Sequence, residues 1–259
     1  MVTRSSLLAA PSMRMPLRAL NSQASCYAAA SSHAMTNATP SSSGPLGSNL
    51  EPSDILAFLN SPEFSSYQSA SDAHGALLGD DATLAATALT HESWMHGVQG
   101  HNRRLAFIGR RALKTYMSLF LFDILAQATR SQASSADLTY LQNILATPHS
   151  VDQLVATHRL GDHVGRAMGL EKVMRWHPTV RLDGASGQQE SGLFKVRGAC
   201  VEAVLGAIYH YRGAQVAQQF FLARILPHLN MLHEQASDLV RSKISQASEE
   251  ATQALSHAP

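Results

Sequence analysis

The first 50 residues contain no aspartate or glutamate, although they carry Arg4, Arg14 and Arg18 and are rich in serine and alanine. A basic, acid-free composition is that of a mitochondrial or plastid transit peptide, and apolar residues scattered between arginines count against a secretory signal. A disordered arm is the plainer alternative. Cysteine is nearly as scarce: Cys26 lies in this leader and Cys200 in an apolar run, which excludes a disulfide framework and a thiolate metal site. No apolar run reaches membrane-spanning length, and the longest, 117–125, is interrupted by Asp123. Glycine-rich phosphate loops, internal repeats and strand-rich regions are missing as well. Net charge is small: 20 basic residues stand against 19 acidic ones, and without the three leader arginines the balance is 17 to 19. A slightly acidic domain does not bind nucleic acid through overall charge, so any RNA contact must come from a local patch.

What is present is helical periodicity. Residues 53–59 read as a short capped helix closed by Pro62 and followed by a serine-rich linker, and 82–94 as the next helix. After a linker with Gly97 and Gly100 comes the central stretch, 101–113, which continues to about residue 128. Its apolar stripe is Leu105, Ile108, Ala112 and Tyr116, widened by Phe107, Leu113 and Met117. Arg103, Ala106 and Arg110 share its polar edge, at i, i+3 and i+7. Shorter helices follow around Leu138, Leu141 and Leu145 and through 151–168, ending at Gly169. Residues 175–192, with three glycines and a proline, read as a surface loop. Gly213 ends the helix before it, and 217–232 forms an amphipathic helix with Phe220, Phe221, Ile225 and Leu229. The tail is only weakly amphipathic, a frayed or partner-dependent helix. Phe120, Phe122, Phe220 and Phe221 read as ordinary core.

The central stretch resembles the signature helix of the ribonuclease III family, Asn-Glu-Arg-Leu-Glu-Phe-Leu-Gly-Asp followed by a small residue, an apolar residue and Leu. Asn102, Arg104, Leu105, Phe107, Gly109 and Leu113 match, and Ile108 is a conservative exchange. Ala88-Leu89-Thr90-His91-Glu92-Ser93 is similar to the Ala-Leu-Thr-His-(Arg/Lys)-Ser that precedes this helix in the family. The run from Gly198 to Tyr209 looks like the second hallmark, Ala-Asp-x-x-Glu-Ala. The resemblance implies an all-α, ribonuclease III-type helical domain over 82–233. Around it lie a leader at 1–50, a linker with a short helix at 51–81, and a tail at 234–259. The double-stranded RNA-binding domain that often follows is not expected, because too little chain remains.

By the same resemblance, the metal-holding carboxylates of the family fall on Arg103, Ala106, Arg110, Ala199 and Glu202, and only Glu202 is acidic. Hydrolysis by the family's route needs Mg²⁺ held by anionic oxygens. At an effective dielectric of about 20, a guanidinium roughly 4 Å from a divalent ion is repelled by about 8 kcal/mol. The expectation is therefore no metal cofactor and no nuclease activity. Glu202 reads as a structural anion paired with Arg103 or Arg110, and Arg103, Arg104, Arg110 and Arg111 as candidate phosphate contacts to RNA. His91, His96 and His101 invite a zinc reading, but their five-residue steps do not stack on one helix face. His91 matches the family's own histidine and reads as a packing or hydrogen-bonding residue.

A degenerate site, a short chain and a mitochondrial-type leader together resemble the ribonuclease III-like proteins of the mitochondrial large ribosomal subunit. That resemblance implies a structural role in the mitochondrial matrix, with ribosomal RNA and a second ribonuclease III-like subunit as partners. In this family the fold pairs through the signature helix. Two alternatives belong to other classes: the inactive half of a heterodimeric RNA-processing ribonuclease, and a free homodimeric binder of structured RNA.

Overall fold

A computed structural model describes residues 46–61, 64, 77–179, 191–229 and 238–256. Arg4, Arg14, Arg18 and Cys26 of the leader, most of the serine-rich linker and the middle of the 175–192 loop lie outside these residues. Among the described residues the fold is all-α, with two isolated bridges, Leu46 to Trp176 and Thr90 to Arg175, as its only strand-like pairing. No helix there is long and apolar enough to cross a membrane.

The first helix, α1 (Pro52–Leu59), starts where Pro52 fixes the backbone and a capping box links Glu51 and Asp54. The sequence expects a linker around it. Instead Ile55, Leu59, Phe64, Leu77 and Leu78 are buried in the main core: α1 packs on the next helix, and the Phe64 ring lies 5.6 Å from that of Phe58 and 6.0 Å from that of Phe220. In α2 (Ala82–Leu89), the Asp81 carboxylate accepts from the Leu84 amide at 2.8 Å. It ends five residues earlier than its periodicity suggests. Arg175 N–H donates to the Leu89 carbonyl and His91 N–H to the Arg175 carbonyl, so Thr90 and His91 are held extended against a distant segment.

The longest single helix is α3 (Arg103–Arg130). It is followed by α4 (Ser135–Leu145), α5 (Pro148–Leu154), and α6 (Thr157–Arg159), which runs through a π turn at Leu160–Val164 into α7 (Gly165–Ala167). The loop expected over 175–192 begins as a buried segment: Trp176 is 2% exposed and bridges Leu46. Its apolar ring explains why a glycine- and proline-bearing stretch is nevertheless anchored.

At the centre lies α8 (Leu193–Phe220), whose residues 200–208 are all buried. Gly213 breaks it, with φ 85° and ψ 179°, where the sequence places an end. The chain continues through a π turn at Phe221–Ile225. The tail read as frayed or partner-dependent is a 19-residue helix, α9 (Asp238–Ser256), held by Val240, Ile244, Ala251 and Leu255 at i, i+4, i+11 and i+15.

Two glycines set the phase of the central pair. A methyl group on Gly109 would lie 1.7 Å from the Glu202 carbonyl oxygen, and one on Gly206 would lie 2.0 Å from that of Leu105. Backbone therefore touches backbone where α3 and α8 meet. At about 100° per residue, this contact puts Leu105, Ala112, Leu113 and Tyr116 inside and turns Phe107, some 200° from Gly109, outward. Phe107 is 57% exposed and does not widen the buried stripe. Phe122 likewise lies at the surface, so it is not core, whereas Phe220 and Phe221 are buried and Phe120 is partly so.

Candidate functional site

The contact of α3 with α8 brings Arg103, Ala106, Arg110 and Ala199 to the wall of one hollow of about 390 Å³, together with His91 and Glu92. Glu202 lies behind it, fully buried. Of the two partners the sequence leaves open for this carboxylate, the structure uses Arg110. Nε donates to Oε1 at 3.1 Å and Nη2 to Oε2 at 2.8 Å, a fork that fits the carboxylate plane. Thr157 Oγ1 adds a third donor to Oε1 at 2.7 Å. It arrives there because α6 packs directly on α8: a methyl group on Gly198 would lie 1.8 Å from the Thr157 carbonyl oxygen. The hydrogen-bonded carboxylate raises the Arg110 pKa above its ordinary value.

Arg103 reaches a different acid. Its Nη1 lies 3.4 Å from Glu92 Oε2 across the linker, with both side chains largely in water. Arg103 and Arg104 occupy the first turn of α3, which has no acidic residue, so two cations sit at the positive end of the helix dipole. Glu92 offsets part of that charge. Because the pair is exposed, Arg103→Ala is expected to change stability by less than about 1 kcal/mol in a denaturant titration. Sequence reasoning missed this contact. The signal was that Glu92 stands where the family pattern is basic and Arg103 where it is acidic, an exchange of signs that preserves attraction.

Arg104 and Arg111 are not among the residues that line the hollow. Both are exposed, and the Arg111 guanidinium lies 3.7 Å from the centre of the Phe107 ring. The four arginines differ in their partners: Arg103 and Arg110 face carboxylates, Arg111 stacks on Phe107, which itself lines the hollow, and Arg104 is exposed in the first turn of α3.

The three histidines do not converge. His91 Nδ1 lies 3.0 Å from Ser93 Oγ, which also accepts from the His177 amide at 3.0 Å. Trp94 is buried beside them, while Met95 and His96 have φ of 45° and 57°. Among the described residues no group of three or more His, Cys, Asp or Glu side chains is arranged to hold a metal ion. The donor set of the hollow does not fit the divalent metals that the family resemblance implies: its only buried carboxylate is held by a guanidinium and a hydroxyl. Cys200 is buried too, receives Asn102 Nδ2 at 3.6 Å from Sγ, and has its pKa pushed up to about 12 by burial. A thiol so placed is neither nucleophile nor ligand.

Burial lowers the His91 pKa below 6.5, with Glu92 opposing and His101 adding to the shift. The folded protein thus prefers the neutral imidazole, and the unfolded chain binds the extra proton. The contribution of His91 to stability is complete above pH 6.5 and is lost as the pH falls from there through the folded pKa. His91→Gln is expected to flatten the pH dependence of the melting temperature between pH 7 and 5. An unchanged slope would contradict this origin.

A family model described as ribonuclease-III-like matches residues 81–229. The chain belongs to that family. Among curated relatives, it is similar to the large ribosomal subunit protein mL57 of Neurospora crassa, at 31% identity over 151 residues, which is 55% of this chain and 53% of that protein. It is also similar to ribonuclease 3 of Clostridium kluyveri, at 26% identity over 145 residues, 55% of this chain and 51% of that protein. The chain spans about half the length of the curated relatives it matches. Among solved structures, the nuclease domain of Campylobacter jejuni ribonuclease III overlays with a TM-score of 0.39 and 19% identity, covering 61% of this chain and 90% of that one.

Proposed function

We propose that this chain is a structural component of the mitochondrial large ribosomal subunit in the matrix, that it does not cut RNA, and that it pairs with a second ribonuclease III-like subunit. The observation that carries the reading is the Arg110 fork on Glu202. It puts a fixed organic cation against the one acid retained from the family pattern, at positions where Arg103, Ala106, Arg110 and Ala199 supply no anionic oxygen. A hard divalent ion has too few ligands there to be held against its hydration shell. Similarity to mL57 supports the ribosomal assignment.

Arg104, exposed in the first turn of α3, is the arginine best placed for ribosomal RNA phosphate. Arg103 and Arg110 retain partial exposure but already face acids. Arg111 belongs with Phe107 and Phe122 on the pairing face, since interfaces concentrate aromatic side chains and arginine. The reading is tested by sedimenting mitochondrial lysate through a sucrose gradient in high salt and detecting this protein by mass spectrometry. Co-migration with the large subunit is expected; release from it at high salt would favour a processing factor. The purified full chain should leave duplex RNA intact in Mg²⁺, and turnover that disappears in Glu202→Ala would refute the inactive site.

A further inference from the structure

We infer that α9 widens the pairing face, and that the groove it forms with α3 receives an amphipathic helix of the partner subunit bearing one basic residue. This inference rests on the pairing reading above. The family match stops at residue 229, so α9 lies beyond it. The helix is seated on the π turn after α8, leaving a groove of about 540 Å³ between itself and the distal half of α3. Leu222 forms the floor, Leu119 and Phe120 one wall, and Ala247, Ala251 and Ala254 the other. Small residues along one wall leave room for incoming side chains at helical spacing, as in other grooves that take helices.

Area and continuity identify the occupant. Phe107, Leu119 and Phe122 are 57%, 52% and 57% exposed. With side chains of this size burying roughly 150–250 Å² each when fully covered, they offer on the order of 300 Å². A stable interface needs roughly 800 Å² per partner. The outer face of α3 is therefore too small alone, and Leu119, one turn from Phe122, leads directly into the groove.

Charge narrows the choice further. Asp123 accepts from Gln127 Nε2 at 2.7 Å, and Glu250 accepts from Gln246 Nε2 at 2.8 Å. Lys243 is directed to the Gln246 side-chain oxygen at 3.0 Å. Among the described residues the two carboxylates thus face the groove from opposite walls with amide partners only, an arrangement that matches a lysine or arginine on an otherwise apolar helix and disfavours RNA phosphate.

The test places a photo-reactive benzophenone amino acid at Phe122 or at Ala247 in the full chain, expressed in its own mitochondria. Adducts are identified by peptide sequencing. Both positions are expected to capture the same polypeptide, one carrying a ribonuclease III-like domain. Ala247→Glu should lower its recovery with tagged chain at least tenfold while leaving the melting temperature unchanged. If position 247 gives a different protein, RNA, its own chain or no adduct while position 122 still captures the subunit, the groove assignment is overturned and the pairing reading stands. Loss of the subunit at both positions overturns the pairing reading, and the groove assignment with it.

Discussion

Gly109→Ala is expected to yield no soluble folded protein. The added methyl would sit 1.7 Å from the Glu202 carbonyl oxygen and 2.9 Å from the Gly206 nitrogen, both backbone atoms in the centre of a buried helix. No rotamer relieves that clash, so α3 and α8 must separate along the contact that orders the core. Ordinary overpacking of side chains costs about 1–3 kcal/mol. Forcing two backbones apart exceeds this, and a penalty well above about 4 kcal/mol approaches the roughly 5–15 kcal/mol by which such domains are stable. Gly206→Ala should behave the same way, at 2.0 Å from the Leu105 carbonyl oxygen. Gly213→Ala is the comparison: nothing lies within 4 Å of it, but its φ of 85° and ψ of 179° fall in a region that almost only glycine adopts, so backbone strain of about 1–3 kcal/mol is expected without any clash. Soluble yield and circular-dichroism melting separate the cases. A Gly109→Ala protein melting within a few degrees of the parent would show that the helices are not locked at this point.

Much of this fold is legible along the chain because its helices are long and strongly periodic. The start of α3 at Arg103 follows from the linker glycines, and its apolar face from Leu105, Ala112 and Tyr116. What the period does not give is rotational phase to within one residue. Phe107 matches the family pattern and sits beside the buried stripe, yet the Gly109–Gly206 contact turns it to solvent. The shortening of α2 has a non-local cause as well, since its competitor for Leu89 and His91 is the backbone of Arg175, more than eighty residues away. Trp176 is hidden from sequence inspection for the same reason: a loop-like composition surrounds a ring that the core needs. α9 reads as weak because its apolar contacts come once per turn or less over five turns, enough to dock a helix that other elements already support.

The candidate site was legible in its membership and less so in its pairing. Arg103, Ala106 and Arg110 share a helix edge by spacing alone, and the second hallmark supplies Ala199 and Glu202. Which arginine takes the buried carboxylate depends on where along α3 the two glycines meet. That register puts Arg110 next to Glu202 and leaves Arg103 nearly two turns away, facing Glu92. Thr157 had no local signal at all. It is a polar residue at the start of a three-residue helix, and its value lies in donating to a carboxylate 45 positions later.

Arg110→Met should destabilise the fold more than loss of a surface charge, because it strands Glu202. The arginine is 51% exposed at its side chain, but its partner is at 0%. A buried carboxylate deprived of its cation keeps only the Thr157 hydroxyl, and breaking such a pair from one side typically costs 3–5 kcal/mol. Water entering the adjoining hollow moderates the loss to about 3 kcal/mol, equivalent to a fall of roughly 6–12 °C in melting temperature for a domain of this size. Glu202→Gln is the milder change, at about 1 kcal/mol, since the freed guanidinium can turn to solvent. The double variant Arg110→Met with Glu202→Gln should therefore be more stable than Arg110→Met alone, and the difference across the four proteins measures the coupling. Millimolar Mg²⁺ is expected to leave the melting of Arg110→Met where it was, because one carboxylate and one hydroxyl are too few ligands to strip the ion of water. Recovery of stability with Mg²⁺ would mean that the hollow can still bind the ion once Arg110 is removed, against the inert site proposed here.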